Sequence, residues 1–343
     1  MKRLTSILAA ALALAACSQQ DPADQYRKAL PTSDTLAITA PEAGAAGTTA
    51  LTTTGASTAV TADGKSELAV ISYVFATSVN GGVAQMLWLI HSITWWQPTS
   101  CDDNTCTWGP GSSDTDLNVF KLVVTKTGGN YDYTLSAAPK STGGTAFLPI
   151  VIGFAHPGAQ DHHGDGYFSV KFENAELLDQ PADHVRKDWG TLDVRYDTHA
   201  QLKNEVVFWE IKDNDNPGPT PMTNPNRLNV YFNFDASKPN GELLVAWETL
   251  YGNTKELALF TQWKDAGGRA DLHYYETDGI NTFTHDEAEC WDGGPDYLQT
   301  YDNFNLATFT PIPEDPATNN PASCVFTASV HGFPTTLPAR LFP

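Results

Sequence analysis

The chain has 343 residues, with 40 acidic residues against 20 basic ones and a formal net charge of −20. Charge of that sign and size repels polyphosphate, which excludes nucleic acid as a partner, and it keeps a surface-exposed protein soluble. Aromatic residues make up 11% and Trp occurs nine times, enough for one large packed core, and all-β domains of about 200–250 residues run as single units.

The first element is a leader. Lys2 and Arg3 precede an apolar run from Leu4 to Leu14, and Leu14-Ala15-Ala16-Cys17 closes it as a lipobox. A charged start, an apolar stretch and small residues before a cysteine predict a signal peptide over 1–16 and a mature chain lipidated at Cys17. Several acyl chains on one cysteine make such an anchor effectively permanent. Ser18 stands where an aspartate would retain a lipoprotein in the inner membrane, so the expected location is the outer membrane, on its periplasmic or cell-surface side. The apolar run is shorter than the about 20 residues of a spanning helix, and no later segment reads as one.

Residues 17–65 are rich in Ala, Thr, Gly, Ser and Pro. Such composition buries too little apolar surface to offset its ordering entropy, which predicts a disordered tether. From Ser66 the pattern changes. Leu68 to Phe75 reads as a first strand, and Val83, Met86, Leu87 and Ile90 repeat at helical spacing, predicting a helix over 80–94.

Alternating segments then follow over 117–125, 131–136, 147–155, 167–172, 192–196, 205–212, 228–234, 242–250, 255–263, 270–276 and 280–288. Each has one apolar and one wetter face. Turn signals separate them, among them Gly128-Gly-Asn130, Gly164-Asp-Gly166 and Pro239-Asn-Gly241. Connections this short join antiparallel neighbours, so the expected fold is all-β: a meander of about ten to twelve strands over 66–310, curled into a barrel or half-barrel with the helix as plug or lid. An outer-membrane pore does not fit, because Asp132, Lys171, Asp193 and Arg195 lie on one face of the strands. The Pro-rich residues 311–343 are expected to pack on the barrel without a fold of their own. With Cys17 lipidated, four cysteines remain, and in an oxidising compartment they read as disulfides. Proximity favours Cys101 with Cys106, and Cys290 with Cys324.

Four groups of side chains are candidates for function. His156, Asp161, His162, His163 and Asp165 could ligate a first-row divalent metal, although Pro, Gly and Asp in the same stretch suit a turn, which spacing favours. Trp88, Trp209, Trp247 and Trp263 could line a cavity for a small apolar or amphipathic ligand. Asp286, Glu287 and Glu289 could serve a glycan hydrolase if they converge. Lys212-Asp213-Asn-Asp215 opens like a calcium loop but lacks its glycine and distal acid. No Gly-x-Ser-x-Gly, His-Glu-x-x-His or phosphate-binding glycine loop is present.

With Leu14-Ala-Ala-Cys17, Trp108-Gly-Pro110, Gly164-Asp-Gly-Tyr-Phe-Ser-Val-Lys-Phe172 and Glu289-Cys-Trp-Asp292, the chain resembles uncharacterised lipoproteins of myxobacteria and related soil bacteria. The resemblance covers most of residues 66–300 and implies a lipoprotein and a β-barrel, with no activity attached. The functional expectation is an envelope-anchored, non-enzymatic β-barrel binding a small apolar ligand. The alternatives are a surface hydrolase acting on glycan or ester, and a structural or adhesion lipoprotein marked by an exposed apolar patch.

Overall fold

A computed structural model of the chain describes residues 21–39, 66–181, 189–212, 227–238, 241–249, 254–264, 267–292, 299–305, 310–311, 319–329, 332 and 334–341. The lipobox, residues 40–65 and the calcium-like residues 213–226 lie outside the described residues.

Fourteen strands form one antiparallel sheet in strict sequence order: β1 (Ser100–Cys101), β2 (Thr105–Gly111), β3 (Asn118–Thr127), β4 (Asn130–Pro139), β5 (Leu148–Pro157), β6 (Gly164–Lys171), β7 (Thr191–Asp197), β8 (Lys203–Lys212), β9 (Arg227–Asp235), β10 (Gly241–Thr249), β11 (Thr254–Lys264), β12 (Gly267–Thr277), β13 (Thr282–Trp291) and β14 (Gln299–Asp302). The all-β meander is as expected, and all eleven alternating segments fall on strands. The count exceeds ten to twelve because β1 and β14 are too short to show a period and β2 ends in Gly109-Pro110-Gly111, which breaks the alternation begun by Cys106 and Trp108. The ladder runs from β1 to β14 without pairing the two ends among the described residues, so the sheet is not closed. Gly164-Asp-Gly166 begins β6 and is not a turn; the reversal precedes it.

One long helix, α3 (Glu67–Thr94), replaces the expected strand and helix. Leu68, Ser72, Ala76, Val79, Val83, Leu87 and Ile90 are its buried stripe, an unbroken series of three- and four-residue steps. Ser66 caps it by accepting from the Ala69 amide at 3.2 Å. Val70, Ile71, Val74 and Phe75 resemble a strand by residue type, but the stripe they flank has the helical period. α3 contacts β3 near one end of the sheet and β10 to β13 near the other, so the sheet curves around it. At 28 residues it is also long and apolar enough to cross a bilayer by length and composition, contrary to the expectation that no later segment would be.

Residues 21–39, expected inside the tether, are folded. Asp21 caps α1 (Pro22–Ala29), with Pro22 at its first position, and Thr32 caps α2 (Ser33–Leu36) through a capping box with Thr35. Tyr26 is fully buried, edge-on to Tyr131 at 5.6 Å, and its hydroxyl donates to the Asp102 carbonyl at 2.8 Å. Asn80 on α3 both donates to and accepts from the backbone of Ile38, and Asn204 donates to the Leu36 carbonyl. Composition alone hid these few well-placed contacts.

The inner face of the sheet, with α1, α2 and α3, forms the main core, in which Trp108, Phe168, Phe234, Trp263 and Trp291 are buried. Two strand glycines exist for this packing. The rings of Trp263 and Trp291 lie across Gly241 and Gly268, where a Cβ would come within 2.0 Å and 2.1 Å of them. On the outer face lie two smaller clusters that include Leu337 and Cys324 of the Pro-rich tail. The tail is held there by the Cys290–Cys324 disulfide and by a hydrogen bond from the Leu341 amide to Asp193 at 2.9 Å. Cys101 and Cys106 form the second disulfide, across the β1–β2 hairpin.

Candidate functional site

The four tryptophans expected to line a cavity do not meet. Trp263 on β11 stacks on Phe234 inside the core, with ring centroids 6.0 Å apart. Trp209 on β8 belongs to the outer face, where its indole donates to Asp193 at 2.9 Å and the Arg340 guanidinium of the tail covers its ring. Trp247 is half-buried on β10 and alternates in phase with Val245 of the inner core. Trp88 stands on the outward stripe of α3 and is 61% exposed. Where a ligand would enter the sheet's inner face, α3 fills it. A cavity of about 150 Å³ does exist beside β12 and β13, lined by Arg269, Asp271, Leu272, His273, Asp286, Glu287, Ala288, Asn303 and Ala328. It is smaller than the about 300 Å³ at which ligand pockets begin.

At the C-terminal end of α3, Trp88 and Trp95 lie seven residues apart on one stripe. Trp95 is 72% exposed, and Trp96 beside it is 43% exposed. This end is tied to the N-terminal segment, because Arg27 of α1 donates from Nε to the Thr94 carbonyl at 2.8 Å and pairs with Asp21 at 2.7 Å.

The loop between β5 and β6 separates the five metal candidates. Asp161 faces Lys28 at 3.3 Å. His162, held at a left-handed φ of 65°, bonds through Nδ1 to the Leu30 carbonyl at 2.8 Å. His163 Nδ1 contacts the Asp161 carbonyl at 3.0 Å. His156 and Asp165, in contrast, are cross-strand partners, with Nδ1 and Oδ1 2.9 Å apart. The next strand adds two residues that the sequence reading missed. Asp197 opposes Asp165 across β6 and β7, and His199 brings its Nδ1 to 3.7 Å from Asp165 Oδ1 and 3.0 Å from Asp197 Oδ1.

The three hydrolase candidates are split by strand alternation. Asp286 points outward and pairs with His273 at 2.6 Å, whereas Glu287 and Glu289 are 2% exposed in the inner core beside the start of α3. Glu289 accepts from the Ser66 hydroxyl at 2.5 Å and the Leu68 amide at 2.9 Å, which makes it part of the helix cap. Its carboxyl is pushed up to about 8 by burial, against the pull of those two donors, with Asp302 and Glu67 adding repulsion. Glu287 is pushed up to about 9 by burial and then by the charges of Glu289, Asp302 and Glu67. One of its oxygens has no hydrogen-bond partner among the described residues, and the other is 3.5 Å from His285 Nε2. Asp286 and Glu287 nevertheless both line the cavity beside β12 and β13, which Glu289 does not.

No protein-family model, curated protein or solved structure matches the chain.

Proposed function

We propose that the chain is an outer-membrane lipoprotein, anchored through Cys17, that acts as a non-enzymatic structural protein and lies against the bilayer through the tryptophan-bearing end of α3. The observation that carries this reading is the exposure of Trp88, Trp95 and Trp96 together at the point where α1 is bonded to α3. Residues 68–101 contain no Asp, Glu, Lys or Arg in a chain that carries 40 acids, so α3 itself brings no charge to desolvate, and the charges beside its end, Arg27 and Asp21, are paired with each other. Tryptophan favours the headgroup level, where its ring is half apolar and its indole N–H stays wet, and exposed apolar patches mark interaction surfaces.

The folded segment 21–39 shortens the leash. From Cys17 to Asp21 is four residues, a reach of about 14 Å at full extension, and Asp21 is one ion pair away from Arg27 and the end of α3. In this reading the curved sheet is a half-barrel plugged by α3. Because the plug occupies the space an internal ligand would need, a surface role is favoured over a carrier role.

Membrane fractionation and quenching of tryptophan fluorescence by brominated lipids in vesicles test the two parts separately. The lipidated chain is expected in the outer-membrane fraction, and a Cys17→Ser chain whose residues 1–16 are replaced by an ordinary cleavable signal peptide in the soluble one; if that chain stays fully membrane-bound, the anchor is refuted. The lipidated chain should show quenching that a Trp88→Ala/Trp95→Ala/Trp96→Ala variant loses while remaining anchored. Equal quenching in that variant refutes the docking face and leaves the anchor standing.

A further inference from the structure

His156, Asp165 and Asp197 lie in one row across three adjacent strands: His156 opposes Asp165 in the β5–β6 pair, and Asp165 opposes Asp197 in the β6–β7 pair. Directly opposed residues of antiparallel strands carry their side chains on one face, with Cβ atoms about 5 Å apart. Two residues beyond β7, His199 turns back toward the row. Its amide donates to Asp197 Oδ1 at 2.9 Å, and its ring centroid comes to 6.1 Å from that of His156. One donor atom each from His156, Asp165 and His199 thereby falls within 4.8 Å of the others.

From this geometry we infer a binding site for a divalent transition-metal ion of the zinc class, with His156 Nδ1, His199 Nδ1 and Asp165 Oδ1 as ligands; Asp197 fixes the His199 backbone by accepting from its amide, and its contact with His199 Nδ1 gives way to the ion. Zinc takes nitrogen and oxygen at about 2.0–2.1 Å, which places neighbouring ligands of a tetrahedron about 3.4 Å apart. The separations of 2.9 Å and 3.7 Å from Asp165 Oδ1 to the two imidazole nitrogens bracket that value, so an ion enters by sub-ångström adjustment. Two imidazoles select for zinc, copper or nickel over calcium or magnesium, which prefer all-oxygen sets. Side-chain exposures between 43% and 52% at His156, Asp165, His199 and Asp197 leave an open approach and room for a water in the fourth position.

The frame around the site is built rather than incidental. Thr198, between Asp197 and His199, donates its amide to the Gly164 carbonyl at 2.8 Å, and its hydroxyl accepts from the Gly164 amide at 2.8 Å. Gly164 itself sits at φ 143°, where a Cβ would fall 2.0 Å from the His156 carbonyl oxygen. The segment bearing His199 is therefore bonded to the start of β6, the strand that pairs with His156 on β5, and side chains held on such a frame lose little entropy on binding.

Calorimetric titration of the untagged full chain in detergent with Zn2+ tests the assignment, with X-ray absorption of the Zn2+-loaded protein reading the donor atoms. One ion per chain is expected, with imidazole scattering from two histidines. Affinity should fall about tenfold or more in His156→Ala and in His199→Ala, remain unchanged in His163→Ala from the same loop, and be at least as weak for Ca2+ as for the histidine variants with Zn2+. Absence of Zn2+ binding, unchanged affinity in the double His156→Ala/His199→Ala variant, or a zinc spectrum without imidazole scattering overturns the site. The absorption measurement uses the wild-type chain, so it decides even where a variant misfolds.

Discussion

Replacing Glu287 by Gln should flatten the stability of this protein against pH. Glu287 is buried in the inner core with one oxygen unpartnered among the described residues, and its carboxyl is pushed up to about 9 from an ordinary 4.5. A carboxyl whose pKa is raised on folding contributes stability that is fully present below the unfolded value and is lost as pH rises toward the folded one, because the native state alone keeps the proton. Each pH unit within that window costs about 1.4 kcal/mol, so going from about pH 5 to about pH 8 costs at most about 4 kcal/mol through Glu287 acting alone. Coupling to Glu289, itself pushed up to about 8, shares the proton affinity between the two, and about 2–4 kcal/mol is the expected range. Gln keeps the shape and the neutral charge of the protonated acid. Urea denaturation of the two proteins at intervals across that pH range, disulfides intact, gives the difference directly. The variant and the wild type should agree within about 1 kcal/mol at the acid end and diverge as pH rises, with the variant more stable. A difference that stays constant across the range would show that Glu287 ionises freely in the native state and would refute the reasoning.

Two further outcomes follow from the same structure. Opening the Cys290–Cys324 disulfide, which closes a separation of 34 residues, by Cys324→Ser should cost about 3–4 kcal/mol in urea denaturation and release the tail from Trp209, read as increased indole exposure. His91, whose Nε2 lies 2.8 Å from the Pro31 carbonyl, has its pKa lowered chiefly by burial. Its contribution to stability is present above about pH 6.5 and is lost as pH falls through its lowered native value, so His91→Gln should reduce the loss of melting temperature on the acid side; an unchanged acid limb counts against it.

Strands were legible here because apolar and polar residue types alternate along them: Tyr131, Tyr133 and Leu135 on β4, or Leu228, Val230 and Phe232 on β9, are each separated by a more polar neighbour. α3 was half hidden because Val70, Ile71, Val74 and Phe75 are residues that strands prefer, and the deciding signal, the four-residue spacing from Leu68 through Ser72 to Ala76, runs through two small side chains. Residues 21–39 were misread for a different reason. Their composition is that of a tether, and order comes from a few sequence-distant contacts, Tyr26 to Asp102 and Asn80 to Ile38 among them; Asp21 before Pro22 and Thr32 three residues before Thr35 were the local signs. At the His and Asp cluster, His156 and Asp165 flank one hairpin and could be paired from sequence. His199 could not, because its place depends on the register of β6 against β7, which is fixed by the inward packing of Phe168 and Val194 and not by any local motif.

The segment 21–39 joins the two surfaces argued above. Arg27 holds the C-terminal end of α3, while the carbonyls of Lys28 and Leu30 accept from the amide and contact the ring of His162, in the loop that follows His156. Lys28 also faces Asp161 in that loop. A lipid on Cys17 would therefore pull on a short helix that is bonded at once to the tryptophan end of α3 and to the β5–β6 connection. Under the proposed anchoring, tension on Cys17 would be carried by the folded segment 21–39. Truncating residues 21–39 should consequently do more than shorten a spacer: it removes Tyr26, Leu30, Leu36 and Ile38 from the core, and each buried side chain of this size contributes about 1.5–3 kcal/mol.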